Sequence, residues 1–233
     1  MTLADMTPTD TTLTDKHIIA VLGGTGAEGS GLAYRWARAG HDVIVGSRDL
    51  AKAMACADEL NALPGAGSIR GMSNDDAARA ATLAVLTVPY TAQRATVAPL
   101  AEALQGKILV DVTVPLKPPK VDRVALPEGG SAVAALQAEL GPGVRVVAGF
   151  QNVSAHHLKN PDHPIDCDVL ICGDDREACD VVVELARTAG FHAIHAGPVA
   201  NAAAAEALTS LLIFINKRYK VPSSGLRITG LPA

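Results

Sequence analysis

His17-Ile18-Ile19-Ala20-Val21-Leu22, followed at once by Gly23-Gly24-Thr25-Gly26-Ala27-Glu28-Gly29, is the stretch that decides the fold. Its first six residues are almost all apolar and rich in β-branched side chains, the pattern of a short buried strand. Glycines at 24, 26 and 29 then make G-x-G-x-x-G, and Ala- and Arg-rich helical sequence follows. In such a strand–turn–helix frame the glycines serve a tight turn, close approach of backbone to a pyrophosphate, and close packing of helix on strand. The helix start adds unpaired N–H groups and the positive end of its dipole. Standing alone, the motif would be only a glycine-rich turn; in this frame it reads as a nucleotide site.

Outward from this stretch the chain alternates short apolar strands with helical segments. Residues 1–15 are low in hydrophobicity and read as a flexible N-terminal tail. The first helix runs to about Ala39 and ends at Gly40. His41–Val45 is a second strand, Asp49 to about Leu60 a second helix, and Leu63-Pro64-Gly65 a breaker. Ser68–Gly71 is a third strand, and Asn74 can cap a helix through Arg79. Leu83–Val88 and Lys107–Val112 are buried strands on either side of a helix over Thr91–Leu104. A proline-rich loop (Lys117–Pro127), a helix near Ser131–Leu140 and a strand at Val144–Val147 complete residues 16–150. The remainder, 151–233, adds a strand (Asp168–Cys172), a helix (Arg176–Ala189), a strand (Phe191–Ile194) and a long Ala-rich helix from about Asn201 to Lys217. The alternation predicts an α/β fold: a Rossmann-type, doubly wound, mostly parallel sheet with a small C-terminal extension.

Composition excludes several functions. The formal net charge is −4 with no basic stripe, and aromatics are at 3%, so nucleic acid is a poor partner. The N-terminus holds no cationic segment followed by an apolar one, and Ala207–Ile215 is too short to span a bilayer. Cys56, Cys167, Cys172 and Cys179 form no C-x-x-C and no regular framework. They read as reduced thiols of a soluble cytoplasmic protein without a membrane partner.

The nucleotide is read at the end of the second strand. An acidic residue there binds the ribose of NAD, whereas an Arg accommodates the 2′-phosphate of NADP. Here the strand ends in Val45-Gly46-Ser47-Arg48, with Lys52 one helical turn on. A hydroxyl, a guanidinium and an ammonium suit a phosphate dianion. The same two cations also fit a solvated helix start. Asp49 reads as the helix cap. NADP(H) is favoured over NAD.

Further residues carry a family resemblance. Gly23-Gly24-Thr25-Gly26, Gly46-Ser47-Arg48, Ala84-Val85-Leu86-Thr87-Val88-Pro89, Cys172-Gly173-Asp174-Asp175, Ala196-Gly197-Pro198 and Glu206-Ala207-Leu208-Thr209 occur here in one order. In that combination the chain resembles, from about His17 to Leu226, the NADPH-dependent reductases of the deazaflavin coenzyme F420. The resemblance implies reversible hydride transfer between NADPH and coenzyme F420 in a homodimer of Rossmann-type subunits. It implies nucleotide contacts from Gly24, Thr25, Gly26, Ala27, Glu28, Ser47, Arg48 and Lys52. Thr87, Val88, Pro89, Val114 and Pro115 match segments lining the nicotinamide side. Gln151, Asn152, Val153, Ser154 and Ala155 match the segment where the deazaflavin stacks, and Thr209 a coenzyme contact on the last helix. The chain departs from the family at this second site. Gln151-Asn152 stands where members carry His-Thr, Ser154 where they carry Pro, Ala203 where they carry Arg, and Ala207 where they carry Ser.

Hydride transfer between two cofactors needs positioning and dryness rather than a covalent nucleophile. Gln151 and Asn152 are expected to donate amide hydrogen bonds to a ring carbonyl. No acid–base pair stands out; His156 and His157 read either as proton donors or as residues of a surface turn. His156, His157, His163, Cys167 and Cys172 show no metal-ligand spacing, so no metal is expected. Asp174-Asp175 reads as a helix cap. Two other functions remain open: an NADPH-dependent reductase of another flavin-like ring, an imine or a ketone, and a non-catalytic NADP-binding sensor module.

Overall fold

β1 (Ile18–Leu22) lies inside the sheet because both of its faces are apolar. Ile19 and Val21 enter one core cluster, and Ala20 and Leu22 the other. In the computed structural model residues 16–231 are described, and the expected tail at 1–15 falls outside them.

β1 pairs in parallel with β2 (Asp42–Ser47) and β4 (Leu83–Leu86). β3 (Ile69–Ser73), β5 (Ile108–Asp111) and β6 (Arg145–Ala148) extend the parallel sheet on either side. β7 (Asp168–Gly173) joins β6 antiparallel, and β8 (His192–His195) joins β7 in parallel. The order β3-β2-β1-β4-β5-β6-β7-β8 makes one mostly parallel sheet, as the alternation predicted. Its order reverses between β1 and β4, where a doubly wound sheet opens a crevice for a dinucleotide.

Helices α1 (Ala27–Arg38), α2 (Leu50–Asn61) and α6 (Arg176–Thr188) contribute to the first cluster. Helices α3 (Asn74–Ala80), α4 (Gln93–Val97), α5 (Ala132–Leu140) and α7 (Ala202–Tyr219) contribute to the second. Trp36 joins α1 to the distal part of the sheet. Its indole Nε1 donates to Leu185 O (3.0 Å), and its ring meets the edge of Phe150, which in turn meets Phe191.

Three expectations are corrected. The helix expected over Thr91–Leu104 is only α4, flanked by 3-10 turns at Tyr90–Ala92 and Ala98–Leu100, because Pro99 cannot continue an α-helical ladder. Asn74 does not cap α3; Ser73 does, accepting from Asp76 N, which frees Asn74 for the glycine turn. The apolar helix at the end is longer than Ala207–Ile215. Val199–Tyr219 is long and apolar enough to cross a membrane by length and composition, with a third of it buried in the protein.

Arg35 fastens α1 to the segment that follows β6. Its guanidinium is almost fully buried and donates to the carbonyls of Leu158 (2.9 Å), Asn160 (3.0 Å), His157 (3.3 Å), Ala189 (3.3 Å) and His163 (3.4 Å). Removing the donor leaves buried carbonyls without partners. Arg35→Met, which keeps most of the stem, is expected to cost about 2–4 kcal/mol in a denaturant titration.

Candidate functional site

The three glycines of the motif do three different jobs. A Cβ at Gly24 would lie 2.6 Å from Val21 O, and one at Gly29 would lie 2.4 Å from Thr87 Oγ1 and 2.7 Å from Gly24 Cα. Both positions are therefore packing sites that admit only hydrogen. A Cβ at Gly26 would meet nothing within 4 Å; it would project into open space. No side chain caps α1 at Gly26, so the first-turn N–H groups are left for a ligand. The turn is tied to its surroundings by Gly24 N, which donates to Gly46 O (3.0 Å), and Gly23 N, which donates to Asn74 Oδ1 (3.2 Å).

Around Gly26 a cleft of about 250 Å³ gathers Thr25, Ser47, Arg48, Thr87, Val88 and Pro89, all expected from sequence, with Gly23, Asn74, Ala92 and Thr96. Arg48 is exposed at the end of β2. Ser47 is buried, its Oγ accepting from Asp49 N, and Asp49 caps α2 through Lys52 N as expected. Lys52 is exposed one turn into α2 and does not line the cleft. Ala27 is exposed on the first turn of α1. A cleft with free N–H groups at one end and a guanidinium at the other fits a dinucleotide bearing a 2′-phosphate.

Glu28 is not among the residues that line the cleft. Its carboxyl Oε1 is buried without any hydrogen-bond partner, and burial pushes its pKa up to about 8. On α1 it lies on the face that continues through Gly31, packed against Leu158, to Arg35.

The second half of the site follows β6. The chain turns at Phe150, whose φ of 71° is a left-handed conformation that a bulky side chain rarely adopts. Burial between Trp36 and Phe191 holds it there. Next come Gln151, Asn152 and Val153, all buried, then Ser154 and Ala155, half-buried. The amide of Gln151 donates to Asp111 O (2.7 Å), that of Asn152 to Asp168 O (2.7 Å), and both side-chain oxygens lack partners. Each amide thus gives one of its two N–H donors to the backbone of a neighbouring strand. The chain runs on past β6 along the sheet, so the two amides are drawn into the backbone of neighbouring strands. Thr209 of α7 is brought to this segment, its hydroxyl donating to Gln151 O (2.6 Å). Val114 is half-buried and Pro115 buried just beyond β5. His156 and His157 sit in a 3-10 turn at Ala155–His157, and His157 stacks on His163 at 3.8 Å. Asp175 caps α6, whereas Asp174 accepts from Val199 N. Among the described residues no group of three or more His, Cys, Asp or Glu is placed to hold a metal ion.

Two participants escaped the sequence reading. Asn74 carried a capping signal that Ser73 satisfies. Asp111, the one charged residue in the interior of Lys107–Val112, was a visible anomaly in an apolar strand.

Residues 18–115 match the model of the family described as "NADP oxidoreductase coenzyme F420-dependent". The F420-dependent NADP reductase of Methanothermobacter thermautotrophicus is 42% identical over 221 residues, covering 92% of this chain and 95% of its own. The chain belongs to this family. The F420-dependent NADP reductase of Methanocaldococcus jannaschii is 39% identical over 91% of this chain and 98% of its own. A crystal structure of an Arthrobacter sp. FB24 protein, assigned as a candidate F420-dependent NADP reductase, superposes with a TM-score of 0.78 at 28% identity, covering 92% of this chain and all of that one. Membership in the F420-dependent NADP reductase family thus extends over both halves of the site.

Two outcomes follow from this geometry. Gly26→Val is expected to fold normally, since its side chain meets nothing, yet to lose nucleotide binding in a calorimetric titration. For Glu28 the folded pKa lies above the unfolded 4.5, so the native state binds the extra proton and loses stability as pH rises from about 4.5 to 8. Glu28→Gln should therefore stabilise the nucleotide-free protein by about 1–3 kcal/mol at pH 8 and leave it nearly unchanged at pH 4.5.

Proposed function

We propose that the protein transfers a hydride between NADPH and the deazaflavin coenzyme F420, with Arg48 and Ser47 selecting NADP(H) through its 2′-phosphate. The observation that carries this reading is identity of 39–42% to F420-dependent NADP reductases over more than nine-tenths of the chain. The cleft supports it, with Arg48 at one end and the uncapped start of α1 beside Gly26. When bound, the dihydronicotinamide supplies the hydride, and the deazaflavin takes it up together with one proton. The protein's part is to orient two rings and exclude water. Thr87, Val88 and Pro89 form the wall of the nicotinamide side, with Val114 and Pro115 beyond β5. Gln151 to Ala155, held from below by Asp111 O and Asp168 O and from the side by Thr209, form the support for the second ring.

The same reading includes a cytoplasmic homodimer. α7 leaves Leu211 (48%) and Phe214 (55%) exposed, an apolar face that a second copy would cover. Its other side is held in the fold by Glu206, buried on the first turn of α5, and by Thr209. A carboxylate within Val199–Tyr219 engaged in this way supports a core and interface helix over a membrane span.

The test is an anaerobic assay with NADPH and oxidised coenzyme F420, following loss of the deazaflavin absorbance. Rapid bleaching with NADPH and little with NADH is the expected result. Arg48→Ala should weaken NADPH about tenfold or more and NADH hardly at all. Equal weakening of both would remove the NADP assignment, and binding of NADPH without bleaching would remove the deazaflavin.

A further inference from the structure

Asp111 is a buried carboxylate with no cation of its own. It ends β5 with its side chain fully enclosed. Three donors converge on it: Thr113 N (2.9 Å) and Thr113 Oγ1 (2.7 Å) onto Oδ1, and Gln93 Nε2 (2.5 Å) onto Oδ2. All three are neutral, and no ion pair among the described residues includes Asp111. The ionisable group that faces it is Glu206 of α7, of the same sign; Gln93 of α4 and Thr113 carry no charge. Burial raises its pKa to about 6 against the pull of the Thr113 and Gln93 hydrogen bonds, so at neutral pH it is an anion.

An unpaired buried anion is costly, and three hydrogen bonds from neutral donors leave its charge in place. Its position suggests what offsets the cost. In this strand order the nicotinamide half of a dinucleotide lies over the carboxyl ends of β4 and β5, the end at which Asp111 stands. The reduced nicotinamide ring is neutral, and the ring that has given up its hydride carries one positive charge. We propose that Asp111 is the fixed counter-charge to the oxidised nicotinamide ring, held in place by Thr113 and Gln93. This rests on the NADP reading given above. Its consequence is a site that favours NADP⁺ over NADPH more than a neutral one would, which makes bound NADPH the stronger hydride donor.

The test is calorimetric titration of Asp111→Asn and the parent protein with NADP⁺ and with NADPH, without any acceptor. In the variant the ratio Kd(NADP⁺)/Kd(NADPH) should rise roughly five- to twentyfold at pH 7.5. A purely structural role would weaken both forms alike; an unchanged ratio overturns the inference. The parent protein gives a second measurement should the variant fail to fold. Its ratio should rise as pH falls from 7.5 through 6, where Asp111 takes up its proton. The 2′-phosphate also titrates in this range but is common to both ligands and cancels from the ratio. A ratio independent of pH would overturn the inference equally. Failure of the parent to bind either form would instead overturn the NADP reading beneath it.

Discussion

Everything in this fold depends on how closely α1 approaches the sheet. At Gly29 there is room for a hydrogen and nothing more, because Thr87 Oγ1 and Gly24 Cα stand where a methyl group would go. That contact sets the depth of α1 against β1 and β4, and with it the height of the uncapped N–H groups above the cleft. The same helix carries Gly31, where a Cβ would fall 2.4 Å from Leu158 Cβ, and one turn later the guanidinium of Arg35. Close packing at the nucleotide turn is thereby transmitted along one helix face to the segment after β6. Along this face α1 ties the two halves of the site together, beside the continuous sheet that carries both.

The site is built from enclosed polar groups rather than exposed reactive ones. Asp111, Gln93, Gln151, Asn152 and Glu206 are all buried, and their hydrogen bonds engage α4, α5, α7, β5 and β7. Such a network fixes backbone positions well and offers no free nucleophile. That suits a reaction whose reactivity resides in the cofactors, where the protein must hold two ring planes still. The left-handed Phe150 belongs to the same scheme, a strained residue tolerated because aromatic packing over-determines it.

Much of this was legible beforehand where local signals and global placement agree. The apolar runs of β1, β4 and β5, the glycine turn, and Asp49 and Asp175 as caps read correctly because each is decided within a few residues. Reading failed where two acceptable local choices compete. Ser73 and Asn74 both suit a cap, and only the neighbouring glycine turn decides between them. The helix expected over Thr91–Leu104 contains Pro99, which has no N–H to give an α-helical ladder, and the chain tightens there into a 3-10 turn. The roles of Gln151 and Asn152 could not be read, since which carbonyl an amide reaches depends on β5 and β7, some 40 and 16 residues away.

The antiparallel joint between β6 and β7 has a practical side. Because β7 and β8 end on the edge of the sheet opposite the carboxyl ends of β1 to β6, the turns that follow them lie away from the edge at which the cleft opens. α7 starts from that remote edge and travels back to deliver Thr209 to the site. Arg176 and Glu177, exposed where α6 begins, are thus natural places to tether the enzyme to a surface or to a second catalyst that regenerates its nicotinamide. Immobilised there, the protein would present its open cleft to solution.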